Sequence, residues 1–146
     1  MLLRMSSRTG SSIVLVIEEH PFQRRALARR LNDLGVPRVI QTAGGADALE
    51  VLRTNAVAIA LILGSVDVPQ VDAYELLRVL AAEAPQTAVA LLSTLGRTPL
   101  RAKIESRAAE YGLRLIGLLE KPVTDDALRA VLVRALADAT NEGWAA

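Results

Sequence analysis

The sequence predicts an α/β domain in which a parallel β-sheet is covered by helices on both faces. Two observations carry this reading. Short, wholly apolar runs recur at residues 13–17, 58–63, 89–92 and 115–119, the pattern of strands buried on both sides. Between them lie segments whose apolar residues repeat at helical spacing. With 146 residues, 51% of them hydrophobic, the chain is one domain long and builds a core without disulfide or structural metal.

The elements follow in order. Ile13, Val14, Leu15, Val16 and Ile17 form the first strand, which ends in Glu18, Glu19, His20 and Pro21. Pro21 suits the first turn of a helix, where its missing N–H costs nothing. Phe22, Ala26, Leu27, Leu31 and Leu34 then set an expected buried stripe, with Arg24, Arg25, Arg29 and Arg30 largely opposite. Gly35 ends that helix and Pro37 blocks its return. Residues 38–42 are a short strand, Gly44-Gly45 a turn, and Ala48, Leu49 and Leu52 a brief helix.

After the strand at 58–63, residues 64–73 are expected as a loop holding Asp67, Pro69 and Asp72. Leu76, Leu77, Leu80 and Ala84 make the next helical face, ending before Pro85. The strand at 89–92 closes on Ser93 and Thr94. Leu100, Ile104, Ala108 and Tyr111 form a stripe ended by Gly112. The last strand, 115–119, is interrupted by Lys121-Pro122, and Thr124 or Asp125 caps a final helix. Leu128, Val131, Leu132, Ala135, Leu136 and Ala139 share one face of it. The domain thus spans 13–139, with a flexible lead-in at 1–12 and a flexible tail at 140–146. Right-handed crossovers place the helices on both sides of the sheet.

Composition narrows the function classes. No cysteine is present, which excludes thiolate metal sites and cysteine nucleophiles, and His20 is the one histidine. A net charge of +1 and four aromatic residues in all argue against direct nucleic-acid binding. No apolar run reaches membrane-spanning length, and the opening residues lack the apolar core of a secretion signal. A cytoplasmic location is the expectation. No glycine-rich phosphate cradle or metal-binding histidine pair points to a nucleotide or metal enzyme.

In an open parallel sheet the site lies outside the carboxyl ends of the strands. Glu18, Glu19, Ser65, Asp67, Ser93, Thr94 and Lys121 fall there. Carboxylates hold Mg²⁺, a lysine offsets oxygen charge and a hydroxyl hydrogen-bonds it, so this set suits phosphoryl chemistry. Each residue also has a plainer reading. Glu18-Glu19 is equally a solvated strand end, Ser93-Thr94 an ordinary turn, and Ser65 a loop residue with no base to activate it.

Taken in order, VLVIEEHP, LGV, AGGADALEVL, SVDVPQVDAYELL, ALLST and LLEKPVTDDAL resemble the receiver domain of bacterial response regulators. The resemblance covers roughly residues 13–137. It implies a three-layer, flavodoxin-like (βα)5 fold with a five-stranded parallel sheet of order 2-1-3-4-5. It also implies that Glu18 and Glu19 match the Mg²⁺-holding acids, with Asp67 adding a backbone carbonyl. Ser93 matches the hydroxyl residue and Lys121 the lysine, whose bond to Pro122 is expected to be cis. The fourth helix, fifth strand and fifth helix of such domains commonly make an output or dimer face, matched here by Arg101, Glu105, Leu118, Arg129 and Arg134.

The departures from the family pattern carry the functional reading. Counting back from Pro69, the phosphoacceptor aspartate falls on Ser65. Ala73 replaces the usual glycine, and Leu118 stands at the aromatic switch position. A serine hydroxyl is a weaker nucleophile than a carboxylate beside a metal, and its presence removes one metal ligand. The expectation is a pseudo-receiver with a weak or absent Mg²⁺ site and no other cofactor. It is not an enzyme, and it acts by protein–protein contact or dimerisation in a two-component or cyclic-di-GMP pathway. The segment between Ser93 and Gly112 is loosely similar to receivers attached to cyclic-di-GMP phosphodiesterases, so a missing output domain is a candidate partner. Two alternatives stay open: an unusual Mg²⁺-dependent receiver using Asp67, and a small enzyme on the same scaffold.

Overall fold

The computed structural model describes residues 13–55, 58–66, 70–94 and 99–144, with side chains at all of these except 55, 70–72, 99, 100 and 137–144. Strands and helices alternate: β1 (Ile13–Ile17), α1 (Pro21–Asp33), β2 (Arg38–Thr42), α2 (Gly45–Asn55), β3 (Ile59–Ser65), α3 (Gln70–Glu83), β4 (Ala88–Ser93), α4 (Pro99–Tyr111), β5 (Leu115–Glu120) and α5 (Asp125–Trp144). The strands pair in parallel in the order β2-β1-β3-β4-β5, as the resemblance implied.

The alternation of side chains along each strand divides the core in two. Val14 and Val16 face a cluster with Leu27 and Leu31 of α1 and Leu128, Val131 and Leu132 of α5. Ile13, Leu15 and Ile17 face the other cluster, with Leu52, Leu77, Leu80 and Ile104 from α2, α3 and α4. An irregularity in the β1–β3 register lets both Ala60 and Leu61 join the first cluster. Because both sheet faces are covered, the strands read as continuous apolar runs.

Helix ends follow local chemistry. Gly35 and Gly112 adopt positive φ, 104° and 75°, just past α1 and α4. That bend lets Val36 N–H reach the Leu31 carbonyl and Leu113 N–H reach that of Ala108, at 3.0 and 2.9 Å. Thr124 caps α5, its hydroxyl accepting from Ala127 N–H at 3.1 Å.

Three sequence expectations change. Residues 64 and 65 belong to β3 and pair with Leu91 and Leu92, so the expected loop at 64–73 is short at both ends. Glycine and serine carry little strand propensity, but the neighbouring ladder holds them in register. The final helix runs on to Trp144, past the end of the expected domain at residue 139. Phe22 and Ala26, expected in the buried stripe, are both exposed, Phe22 by 78%. The lead-in at 1–12, together with Asp67, Val68 and Pro69, lies outside the described residues.

Candidate functional site

The sheet order reverses between β1 and β3, one running outward to β2 and the other toward β5, and the strand ends there bound a crevice. β1 delivers Glu18, whose backbone N–H donates to Thr42 O at 2.9 Å. Glu18 is buried, while Glu19 and His20 are exposed. β3 brings Ser65 to the same edge, and β4 ends on buried Ser93. β5 is held beside it as Lys121 N–H donates to Ser93 O at 2.8 Å, followed by a cis Lys121-Pro122 bond.

Three of the sequence-selected residues meet. Lys121 Nζ donates to Glu18 Oε1 at 3.0 Å and to Ser65 Oγ at 2.6 Å. The ion pair is largely withdrawn from water, its side chains 16% and 6% exposed. Glu18 Oε2 accepts from the His20 backbone N–H at 3.3 Å. Both carboxylate oxygens are therefore engaged, one of them by an ammonium. In an environment of low dielectric such a pair holds only because each charge has its counter-charge and hydrogen bonds.

The donors available to a divalent cation are correspondingly few. Mg²⁺ takes oxygen ligands in near-ideal octahedral geometry, one or two of them carboxylates. Here one acid is paired with Lys121, the other is exposed, and the end of β3 contributes a hydroxyl that already accepts a hydrogen bond from Lys121. Among the described residues no three acidic or histidine side chains gather closely enough to hold a metal. Among the described residues the donors at these strand ends are thus one paired carboxylate, one exposed carboxylate and one hydroxyl, and Asp67, the third donor expected from the sequence, lies outside them.

The residues assigned to the interaction face are spread over α4, β5 and α5 and are engaged within the chain. Arg101 donates to the Leu118 carbonyl at 3.0 Å and to Glu105 Oε1 at 3.2 Å. Arg134 donates to the Ile116 carbonyl at 2.8 Å. Arg129 bonds Asp126 at 2.9 Å, while its Nε is buried without a partner. The half-buried Leu118 side chain packs on the α2–α4 side of the core.

Two arginines that sequence reasoning had left as solvated surface also shape the site. Arg24 Nη1 donates to the Glu18 carbonyl at 3.0 Å, tying α1 to the end of β1. Arg30 crosses from α1 to the β5–α5 connection, bonding Val123 O and Asp125 Oδ1, each at 2.7 Å. No signal in the sequence marks Arg30, because its partners lie far along the chain.

The response regulator receiver domain family matches residues 14–133. A curated relative, sensor histidine kinase RcsC of Salmonella typhi, is 36% identical over 124 residues. That match covers 82% of this chain but 12% of the relative, so the chain spans a small part of that protein. Among solved structures, the signal receiver domain of an HD domain-containing protein from Pseudomonas fluorescens Pf-5 superposes with a TM-score of 0.72 at 22% identity, covering 88% and 97% of the two chains. The receiver domain of sensor histidine kinase PA1611 from Pseudomonas aeruginosa PAO1, which has magnesium coordinated in its active-site cleft, gives 0.68 at 20%, covering 86% and 97%.

Proposed function

The chain belongs to the response regulator receiver domain family, the non-catalytic modules of bacterial signal transduction, and we propose that within it this domain is a pseudo-receiver. It signals by protein–protein contact and accepts no phosphoryl group. One observation carries the reading: at the end of β3 a serine hydroxyl, not a carboxylate, faces the lysine, and that lysine is already paired with Glu18.

The chemistry supports this reading. Phosphoryl transfer to a receiver needs a carboxylate oxygen as nucleophile beside a cation that neutralises the incoming charge. Ser65 Oγ accepts a hydrogen bond from an ammonium, which draws electron density away from the attacking oxygen. The aliphatic Leu118 also removes the ring whose rotation would report the site's state to the α4–β5–α5 face.

The partner in this reading is an output domain of a larger signalling protein, a separate protein, or a second copy, met through the α4–β5–α5 face. The similarity to a short part of a sensor histidine kinase favours the first. A two-component or cyclic-di-GMP pathway in the cytoplasm is the setting. Among the described residues no helix is long and apolar enough to cross a membrane.

The test is incubation with acetyl phosphate, with and without Mg²⁺, followed by intact mass at neutral pH. No added phosphoryl group, beside a phosphorylated active receiver in the same buffer, is the expected result. A Mg²⁺-dependent gain of one group overturns the reading and directs attention to Asp67.

A further inference from the structure

The two edges of the sheet are finished differently. At β5 the Leu118 and Ile116 carbonyls are taken by Arg101 and Arg134. At the other edge β2 is bonded to β1 alone among the described strands. Glu18 N–H donates to Thr42 O at 2.9 Å, so Thr42, and by alternation Ile40 and Arg38, turn their backbone groups inward to β1. The N–H and C=O of Val39 and Gln41 therefore turn outward, where no described strand lies beside them.

Edge strands commonly carry charges, a proline or a bulge that stop another strand from joining. β2 keeps an unbroken register with β1, and its one charge is Arg38, at its first residue. Pro37, just before it, has no N–H to offer, which limits the open ladder to Val39 and Gln41. The side chains of Val39 and Ile40 are half-buried, one against each core cluster. Each face of the edge thus ends in apolar surface that a further strand would cover.

These groups are self-complementary. We propose that β2 pairs antiparallel with β2 of a second copy about a two-fold axis at Ile40, joining the two sheets into one. In that register Val39 lies opposite Gln41 of the second copy, and each donates its N–H to the other's carbonyl. Ile40 meets its own symmetry mate in the close pair between them, and Arg38 lies opposite Thr42, so no like charges face each other. A slip by one residue sets outward groups against inward ones. A slip by two puts Pro37, which has no N–H, or Ala43, past the strand's end, opposite a bonding residue. Only the register centred on Ile40 engages Val39 and Gln41 of both copies. The contact lies at the far edge of the sheet from β5, does not rest on the pseudo-receiver reading, and leaves the α4–β5–α5 face open in both copies.

Sedimentation of the full chain from micromolar to millimolar concentration tests the pairing. A monomer–dimer equilibrium is expected, with Gln41→Pro weakening it roughly thirtyfold, the scale of two backbone hydrogen bonds lost across the axis. The Gln41 N–H faces outward, so proline there removes no bond to β1, and the circular dichroism spectrum should match the parent's. The chain has no cysteine, so Ile40→Cys reports the register even where Gln41→Pro fails to fold. Opposed Cα atoms in the close pair lie about 4.5 Å apart, within disulfide reach, and mild oxidation should yield a covalent dimer. Val39→Cys stands beyond the reach of about 7 Å from its own mate and should stay largely uncrosslinked. A monomer at every concentration overturns the proposal and leaves β2 to a strand of another protein. A dimer that a folded Gln41→Pro leaves intact, or Val39→Cys crosslinking as fast as Ile40→Cys, also overturns it and moves the contact to another face.

Discussion

At position 65, which the pseudo-receiver proposal matches to the family's phosphoacceptor, a hydroxyl accepts from Lys121 at 2.6 Å. Ser65→Asp restores a carboxylate there on an otherwise family-like scaffold. The expected outcome is a slow, Mg²⁺-dependent gain of one phosphoryl group from acetyl phosphate, seen by intact mass; no gain would place the block in Glu18 and Glu19 instead. Lys121→Met tests the ion pair. It leaves Glu18, with a side chain only 6% exposed, without its counter-charge. Urea denaturation should show a loss of roughly 2–4 kcal/mol, somewhat under the full cost of breaking a buried pair because Lys121 is partly solvated. Adding Glu18→Gln should recover part of the loss, since the stranded charge is then gone. Glu18, Ser65 and Lys121 were each legible in the sequence as strand-end residues. Their mutual bonding was not, because it depends on which strands become neighbours. Phe22 was misread for a simpler reason. It is nine residues before Leu31, and at about 100° per residue that puts the two on opposite sides of the helix.

The elements show how β5 is finished as an edge strand. A sheet edge presents unpaired carbonyls that invite another strand. Here Arg101 from α4 and Arg134 from α5 donate to the Leu118 and Ile116 carbonyls at 3.0 and 2.8 Å. The two helices thereby grip the strand, and two of its carbonyls are occupied from within the chain. Arg101→Ala with Arg134→Ala should cost about 1–3 kcal/mol in total, from two hydrogen bonds of ordinary net strength. It should also raise concentration-dependent association in light scattering; a double variant that associates no more than the parent would deny the edge-capping role. Close approach sets another element-scale constraint. A Cβ at Gly64 would meet Leu91 Cδ2 at 3.3 Å and Leu76 Cδ2 at 3.6 Å. Gly64→Val should therefore destabilise by about 1–3 kcal/mol through overpacking, measured by thermal or urea unfolding. Helix ends were legible because glycine and threonine chemistry is local: Gly35, Gly112 and Thr124 act within a few residues of themselves. The end of β3 was not, since Gly64 and Ser65 are strand residues only through pairing with β4.

For the whole molecule, the fold was readable because burial on both sheet faces leaves a signature that each strand carries alone. Ile13–Ile17 is fully buried, yet alternate residues serve two separate core clusters. The strand order came from the family resemblance, since periodicity says nothing about which apolar run lies beside which. That order brings the ends of β1, β3 and β5 together and so determines that Lys121 meets Glu18 and Ser65 rather than water. The consequence can be measured on the intact chain. A ligand that binds only the folded state raises stability by mass action, about 2.7 kcal/mol at a hundredfold excess over its Kd. A receiver with a working metal site should therefore unfold at higher urea in millimolar Mg²⁺. In this chain the ammonium of Lys121 already neutralises Glu18, and a divalent cation would have to displace it from a largely dry ion pair. The urea midpoint should shift no more with MgCl₂ than with NaCl of equal ionic strength. A saturable, Mg²⁺-specific rise would mean that the exposed Glu19 and the residues beyond Val66 complete a metal site despite Lys121, and the internal cation would then be a resting state that the metal reverses.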